Sequence, residues 1–123
     1  MKAENIILDK SFAFALRILK LYLFLRKKKV DTGLCSQILD SGTAIGANVE
    51  EAIGGSSRKD FINKMQIAYK EARETKYWLR LLKEGELIDK KLADSFFKRL
   101  RRNPQNTYCN IKFFKRLQVI LNF

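Results

Sequence analysis

The stretch LCSQILDSGTAIGANVEEAIGG, residues 34–55, limits the possible folds more than any other part of the chain. Its spacing is helical, yet Gly, Ser, Ala and Asn stand where a helix usually buries Leu. Three adjoining stripes are small or largely apolar. They are Leu34, Ile38, Ser41, Ile45, Val49 and Ala52; then Leu39, Gly42, Gly46, Val49 and Ile53; then Gln37, Ser41, Ala44, Asn48 and Glu51. Only the line Ser36, Asp40, Thr43, Ala47 and Glu50 is left for water. A helix apolar or small on nearly every side is one that is covered on nearly every side. Gly inside a helix costs about 1 kcal/mol, which close approach of another backbone can offset. Each helix of a four-helix bundle keeps an outer face, so one copy of the chain does not cover all three stripes. The expectation is self-association with Gly42 and Gly46 at the contact. The alternative is that these glycines serve tight packing within one bundle.

The flanking sequence supplies three more helical patterns. The first runs from about Asp9 to Lys29, with Leu8, Phe12, Ala15, Leu16, Leu19, Tyr22 and Leu23 recurring at i+3 and i+4 and Lys10, Arg17, Lys20 and Lys27 opposite. It closes on Arg26, Lys27, Lys28 and Lys29, which suits the negative end of the helix dipole. The second spans residues 34–53 and stops at Gly54-Gly55. The third, 58–84, follows Ser57, whose S-x-x-D spacing to Asp60 resembles a capping box. Its core stripe is Phe61, Met65, Ala68, Ala72, Thr75, Leu79 and Leu82, and Asn63, Gln66, Lys70, Arg73 and Lys83 mark its wet side. The fourth covers about 89–121, with a break near Pro104, where the ring removes a backbone donor. Short connections favour antiparallel neighbours. The expected fold is all-α, a single antiparallel up-and-down four-helix bundle over residues 1–123.

On the third helix Glu71 and Glu74 share a line with Ile67 and Trp78, so Glu51, Glu71 and Glu74 are expected to meet in a partly buried polar layer with Gln37 and Asn48. Buried carboxylates need partners, and Arg73 or Arg80 would supply them. Read as chemistry, the layer is poor material. Carboxylate-bridged di-metal bundles use Glu-x-x-His pairs, and the chain has no histidine. That also removes the common general base and the Ser-His and Cys-His nucleophile pairs. The layer is expected to fix helix register or a subunit contact, with no enzyme activity, no cofactor and no metal. Cys35 and Cys109 fit no metal spacing and are expected to be reduced thiols.

Residues 11–25 form the most apolar run, too short to span a bilayer and interrupted by Arg17 and Lys20. Glu4 and Asp9 spoil a signal peptide, so the expected location is cytoplasmic. The net charge is +12. Residues 96–123 hold seven basic and no acidic side chains, against excesses of three for residues 1–60 and two for 61–95. Such asymmetry points to a polyanionic partner, most simply RNA or DNA.

The runs SGTAIGANVEE (41–51), SSRKDF (56–61) and KEARETKYWL (70–79) resemble the four-helix-bundle proteins encoded by intervening sequences within bacterial 23S rRNA genes, over about residues 12–88. The resemblance implies a bundle assembled into a ring-shaped homo-oligomer, a pentamer, and similarity to the accessory protein of diversity-generating retroelements, which binds nucleic acid and a reverse transcriptase. It implies no catalytic residues. The tail LRRNPQNTYCNIKFFKRLQVILNF departs from the family pattern in having Pro104 and no acid. It is either a specialised basic arm or a drifted terminus.

The functional expectation is therefore a non-enzymatic, oligomeric, basic protein that binds RNA. Its phosphate contacts would be Arg26, Lys27, Lys28 and Lys29 at one helix end and Lys98, Arg99, Arg101 and Arg102 in the tail, where Phe96, Phe97, Tyr108 and Phe113 interleave with the charges. The bland reading of each cluster is a solvated helix end. The competing function is a protein–protein scaffold engaging an acidic partner or a polymerase.

Overall fold

The computed structural model describes residues 2–55 and 57–100. Among them are four helices and no strand: α1 (Lys2–Lys27), α2 (Thr32–Ile53), α3 (Arg58–Glu84) and α4 (Lys90–Leu100). Facing pairs run in opposite senses. Ile18 and Ser11 of α1 lie against Gly42 and Gly46 of α2, and Glu51 of α2 meets Lys64 of α3. Lys83 of α3 meets Asp94 of α4, while Arg17 and Phe14 of α1 meet Ser95 and Phe96. The all-α bundle of four helices expected from the sequence is thus present. No helix among the described residues is long and apolar enough to cross a membrane.

Side chains set the helix starts. Asp31 Oδ2 accepts from the Leu34 amide at 3.2 Å, Ser57 Oγ from Asp60 at 3.1 Å and Asp89 Oδ1 from Leu92 at 2.7 Å. Each satisfies an amide the helix leaves unpaired. The helix ends are less regular than the glycines suggest. Gly54 and Gly85 sit at φ −80° and −79°. The left-handed residues are instead Lys29 (φ 62°) and Glu86 (φ 59°). Each closes a double hydrogen-bonded turn: Val30 N to Leu25 O (3.0 Å) with Lys29 N to Arg26 O (3.0 Å), and Leu87 N to Leu82 O (2.9 Å) with Glu86 N to Lys83 O (3.0 Å).

The core overturns one expectation. In α1 the buried line is Ile7, Ser11, Phe14, Ile18, Leu21 and Leu25, a strict alternation of four and three, while Phe12, Leu16, Leu19 and Leu23 are exposed. Phe12 is 66% and Leu23 58% exposed, so this part of the stripe read as core faces outward, while Leu8, Ala15 and Tyr22 of the same stripe are half-buried. Both stripes satisfy helical periodicity; what selects between them is α2. A Cβ on Gly42 would lie 2.6 Å from Ile18 Cγ1, and one on Gly46 3.3 Å from the Ser11 carbonyl oxygen. Within the chain the glycines lie against the Ser11–Ile18 side of α1, as the alternative of tight packing inside one bundle requires. α1 also begins at Lys2, before the expected Asp9.

In α3 the expected stripe is buried from Met65 to Leu82, with Phe61 half-buried. Its buried Thr75 hydroxyl donates to Glu71 O at 2.8 Å, as Ser41 does to Gln37 O at 2.8 Å, so these polar groups are satisfied within their own helices. α4 docks through Phe96, which meets Phe14 edge-on at 6.0 Å and lies under the Arg17 guanidinium at 4.2 Å. The expected extension of α4 to 121, Pro104 and Cys109 lie outside the described residues.

Candidate nucleic-acid interface

The cluster that ends α1 is exposed as expected, but it is not an isolated positive patch. Arg26 donates to the Thr32 hydroxyl, tying α1 to the start of α2. The Lys28 ammonium lies 4.6 Å from the Phe24 ring centre. Lys27 and Lys29 are exposed. The same end of the bundle carries Asp31, Glu84, Glu86 and Asp89, and a cavity of about 500 Å³ is lined by Lys28, Lys83 and Lys90 together with three of these carboxylates. A polyanion approaching this end meets both signs of charge.

The second expected cluster is only partly on view. Lys98 is exposed near the end of α4, and Arg99 lies in the same helix. Arg101 and Arg102, with Tyr108 and Phe113, fall outside the described residues. Phe96, expected among the stacking aromatics, is core at 2% exposure, and Phe97 is half-buried with the Lys83 ammonium 5.4 Å from its ring centre.

The expected polar layer is smaller than the sequence suggests. Glu71, Glu74 and Trp78 are half-buried along one line of α3, where the Trp78 indole donates to Glu74 Oε1 at 3.3 Å. Burial raises the Glu71 pKa above the ordinary carboxylate value, and the charges of Glu74 and Asp40 add to the rise against the opposing Lys70. Gln37 and Glu51 are exposed, and Glu51 pairs with Lys64 at 3.6 Å. Asn48 is half-buried and donates to Ala44 O in its own helix at 2.8 Å. No group of three or more Cys, Asp or Glu among the described residues is placed to hold a metal ion. Cys35 is buried with a thiol pKa pushed up by that burial, and it is a free cysteine.

The sequence reasoning passed over one face as a unit. On the outer side of α3, Lys70, Arg73, Lys76 and Arg80 are all exposed, with Tyr77 54% exposed among them. A shallow depression of about 420 Å³ is lined by Tyr69, Lys70, Arg73, Glu74 and Tyr77. The signal was present as basic residues spaced three and four apart; counting charge by segment concealed it, because the six acids of residues 61–95 nearly cancel the eight bases.

Comparison with known proteins follows the fold. The model of the 23S rRNA-intervening sequence protein family matches residues 3–105. The chain is also similar to a crystal structure of a protein with unknown function from the S23 ribosomal protein family from Bacteroides thetaiotaomicron VPI-5482. The two are 50% identical, superpose with a TM-score of 0.73, and the alignment covers 76% of this chain and 83% of that one. No functionally curated protein matches. The family match spans more of the chain than the four described helices, and the chain belongs to the 23S rRNA-intervening sequence protein family.

Proposed function

We propose that the protein is a non-enzymatic, self-associating RNA-binding protein of the cytoplasm. The observation that carries the reading is the surplus of 25 basic over 13 acidic side chains on a small helical bundle. A surplus of this size attracts polyanions and releases their counterions on contact. The family name supports RNA as the polyanion, since it places these proteins in the context of 23S rRNA.

Self-association is supported by the stripe Phe12, Leu16, Leu19 and Leu23, whose spacing of four, three and four residues is that of a helix–helix seam. A ring-shaped homo-oligomer, a pentamer by family resemblance, would cover it and repeat each weak phosphate contact around the ring. The absence of histidine from the sequence and the engagement of Glu74 by Trp78 support a structural role for the α2–α3 carboxylates.

The test is binding of fluorescent structured RNA by nuclease-treated, full-length protein at rising salt, with the mass measured by light scattering. The expected result is a multiple of the 14.4 kDa chain that binds RNA with log affinity falling linearly in log salt. An oligomer that binds no RNA at physiological salt, yet captures an acidic protein or a polymerase through the α1 stripe, overturns the reading in favour of a scaffold.

A further inference from the structure

We infer that the outer face of α3 is the RNA contact, with Lys70, Arg73, Lys76 and Arg80 on the phosphates and Tyr77 under an unpaired base. This rests on the RNA-binding reading above and gives it a surface. Four observations converge on that face. The cations stand at i, i+3, i+6 and i+10, so at 1.5 Å per residue they line about 15 Å of one helix side. All four are exposed, and none is in an ion pair among the described residues.

The acids of the same stretch are fewer and less exposed. Between Phe61 and Lys83 the only carboxylates are Glu71 and Glu74, both half-buried; Glu74 is held by the Trp78 indole and Glu71 is desolvated toward Asp40 of α2. The four cations are therefore more exposed than the two acids, although Glu74 also borders the depression with Lys70, Arg73 and Tyr77. Like charges three and four residues apart weaken a helix, whereas alternating signs strengthen it. A polyanion laid along the face removes that repulsion.

The aromatic content fits the same occupant. Tyr77 is 54% exposed beside Arg73 and Arg80, and its ring lies edge-on to Trp78 at 5.0 Å. Phosphates spaced along a backbone with a base stacked on an aromatic ring is the general arrangement for single-stranded nucleic acid. The end of α1 offers no equivalent, since its lysines share their surroundings with four carboxylates.

The experiment compares the full-length protein with two variants of equal charge. One carries Arg73→Gln, Lys76→Gln and Arg80→Gln; the other carries Lys27→Gln, Lys28→Gln and Lys29→Gln. All six positions are exposed, and Gln retains helix propensity at those within helices. Binding of a fluorescent single-stranded RNA and of an equal length of duplex RNA is measured against salt, with circular dichroism to confirm folding. The α3 variant is expected to lose at least about tenfold in affinity and about two units of salt slope for the single strand, at roughly 0.7 per lost contact, while the α1 variant loses less of both. Tyr77→Ala is expected to weaken single-strand binding about tenfold with little effect on duplex, and Tyr77→Phe to restore it. Equal losses in the two triple variants mean that only overall charge matters and overturn the assignment while leaving RNA binding intact. A wild-type protein that binds neither RNA overturns both.

Discussion

At the scale of single residues, Glu71 shows how a carboxylate can be placed at some expense of stability. It is half-buried on α3, its charge is opposed by Glu74 and Asp40, and its pKa is raised above the ordinary 4.5. Between that value and the raised one, the folded chain holds a proton the unfolded chain has released. Stability therefore falls as pH rises through this window and stays lower above it. Glu71→Gln removes the charge and keeps an amide of similar shape. The variant is expected to be more stable than the parent to urea at pH 7, with the difference gone below about pH 4; an equal difference at both pH values would show that the carboxylate charge is not the cause. The sequence shows which residues share this line, and of them Trp78 and Glu74 are hydrogen-bonded. It does not show that Gln37 and Glu51 point to water, because on a helix a rotation of one residue position decides that and only the packing of α2 on its neighbours fixes it.

Between elements, the spacing of α1 and α2 is set at Gly42 and Gly46. A methyl at Gly42 meets two carbons of the branched Ile18 side chain, at 2.6 and 2.7 Å, which cannot swing clear without moving the core. Gly42→Ala is expected to lower the unfolding free energy by about 1–3 kcal/mol. At Gly46 the nearest atom is the Ser11 carbonyl oxygen at 3.3 Å, and the better helix propensity of Ala, about 1 kcal/mol, offsets a small shift. Gly46→Ala is thus expected to be near neutral, and urea titration of the two variants separates them. The small-residue pattern of α2 was legible as a demand for close approach. Its partner was not, since α1 has two apolar stripes of equal periodicity and the contact with Ile18 and Ser11 is what chooses the inner one. The stops after α1 and α3 were legible to within a few residues, though the left-handed positions are Lys29 and Glu86 where glycine would be the easy choice.

For the whole molecule, the outward stripe of α1 and the outer cations of α3 mark two different surfaces. If a second copy covers Phe12, Leu16, Leu19 and Leu23, the melting temperature of the protein rises with its concentration, because association stabilises the folded state by mass action. Leu16→Lys with Leu19→Lys is expected to abolish that dependence and yield a folded 14.4 kDa monomer, as checked by melting at a series of concentrations and by light scattering. A parent whose melting temperature does not move with concentration contradicts the association. The charge total of the chain was legible at once, whereas its location was not. Segment sums direct attention to the chain ends, while the four outer cations of α3 form one exposed face only once residues are wound at 3.6 to the turn.

The order of helices has a consequence in time. α1 packs on α2, α2 on α3 and α3 on α4, each with its neighbour in sequence. Contacts of this kind form early, since little chain must be closed to make them. The ties from Arg17 to Ser95 and from Phe14 to Phe96 are different: the first joins positions 78 apart in the chain. Made alone, a contact across so long a loop costs more chain entropy than one between neighbours, but once α1, α2 and α3 have packed, the short connection of residues 85–89 holds α4 beside its place and little is left to close.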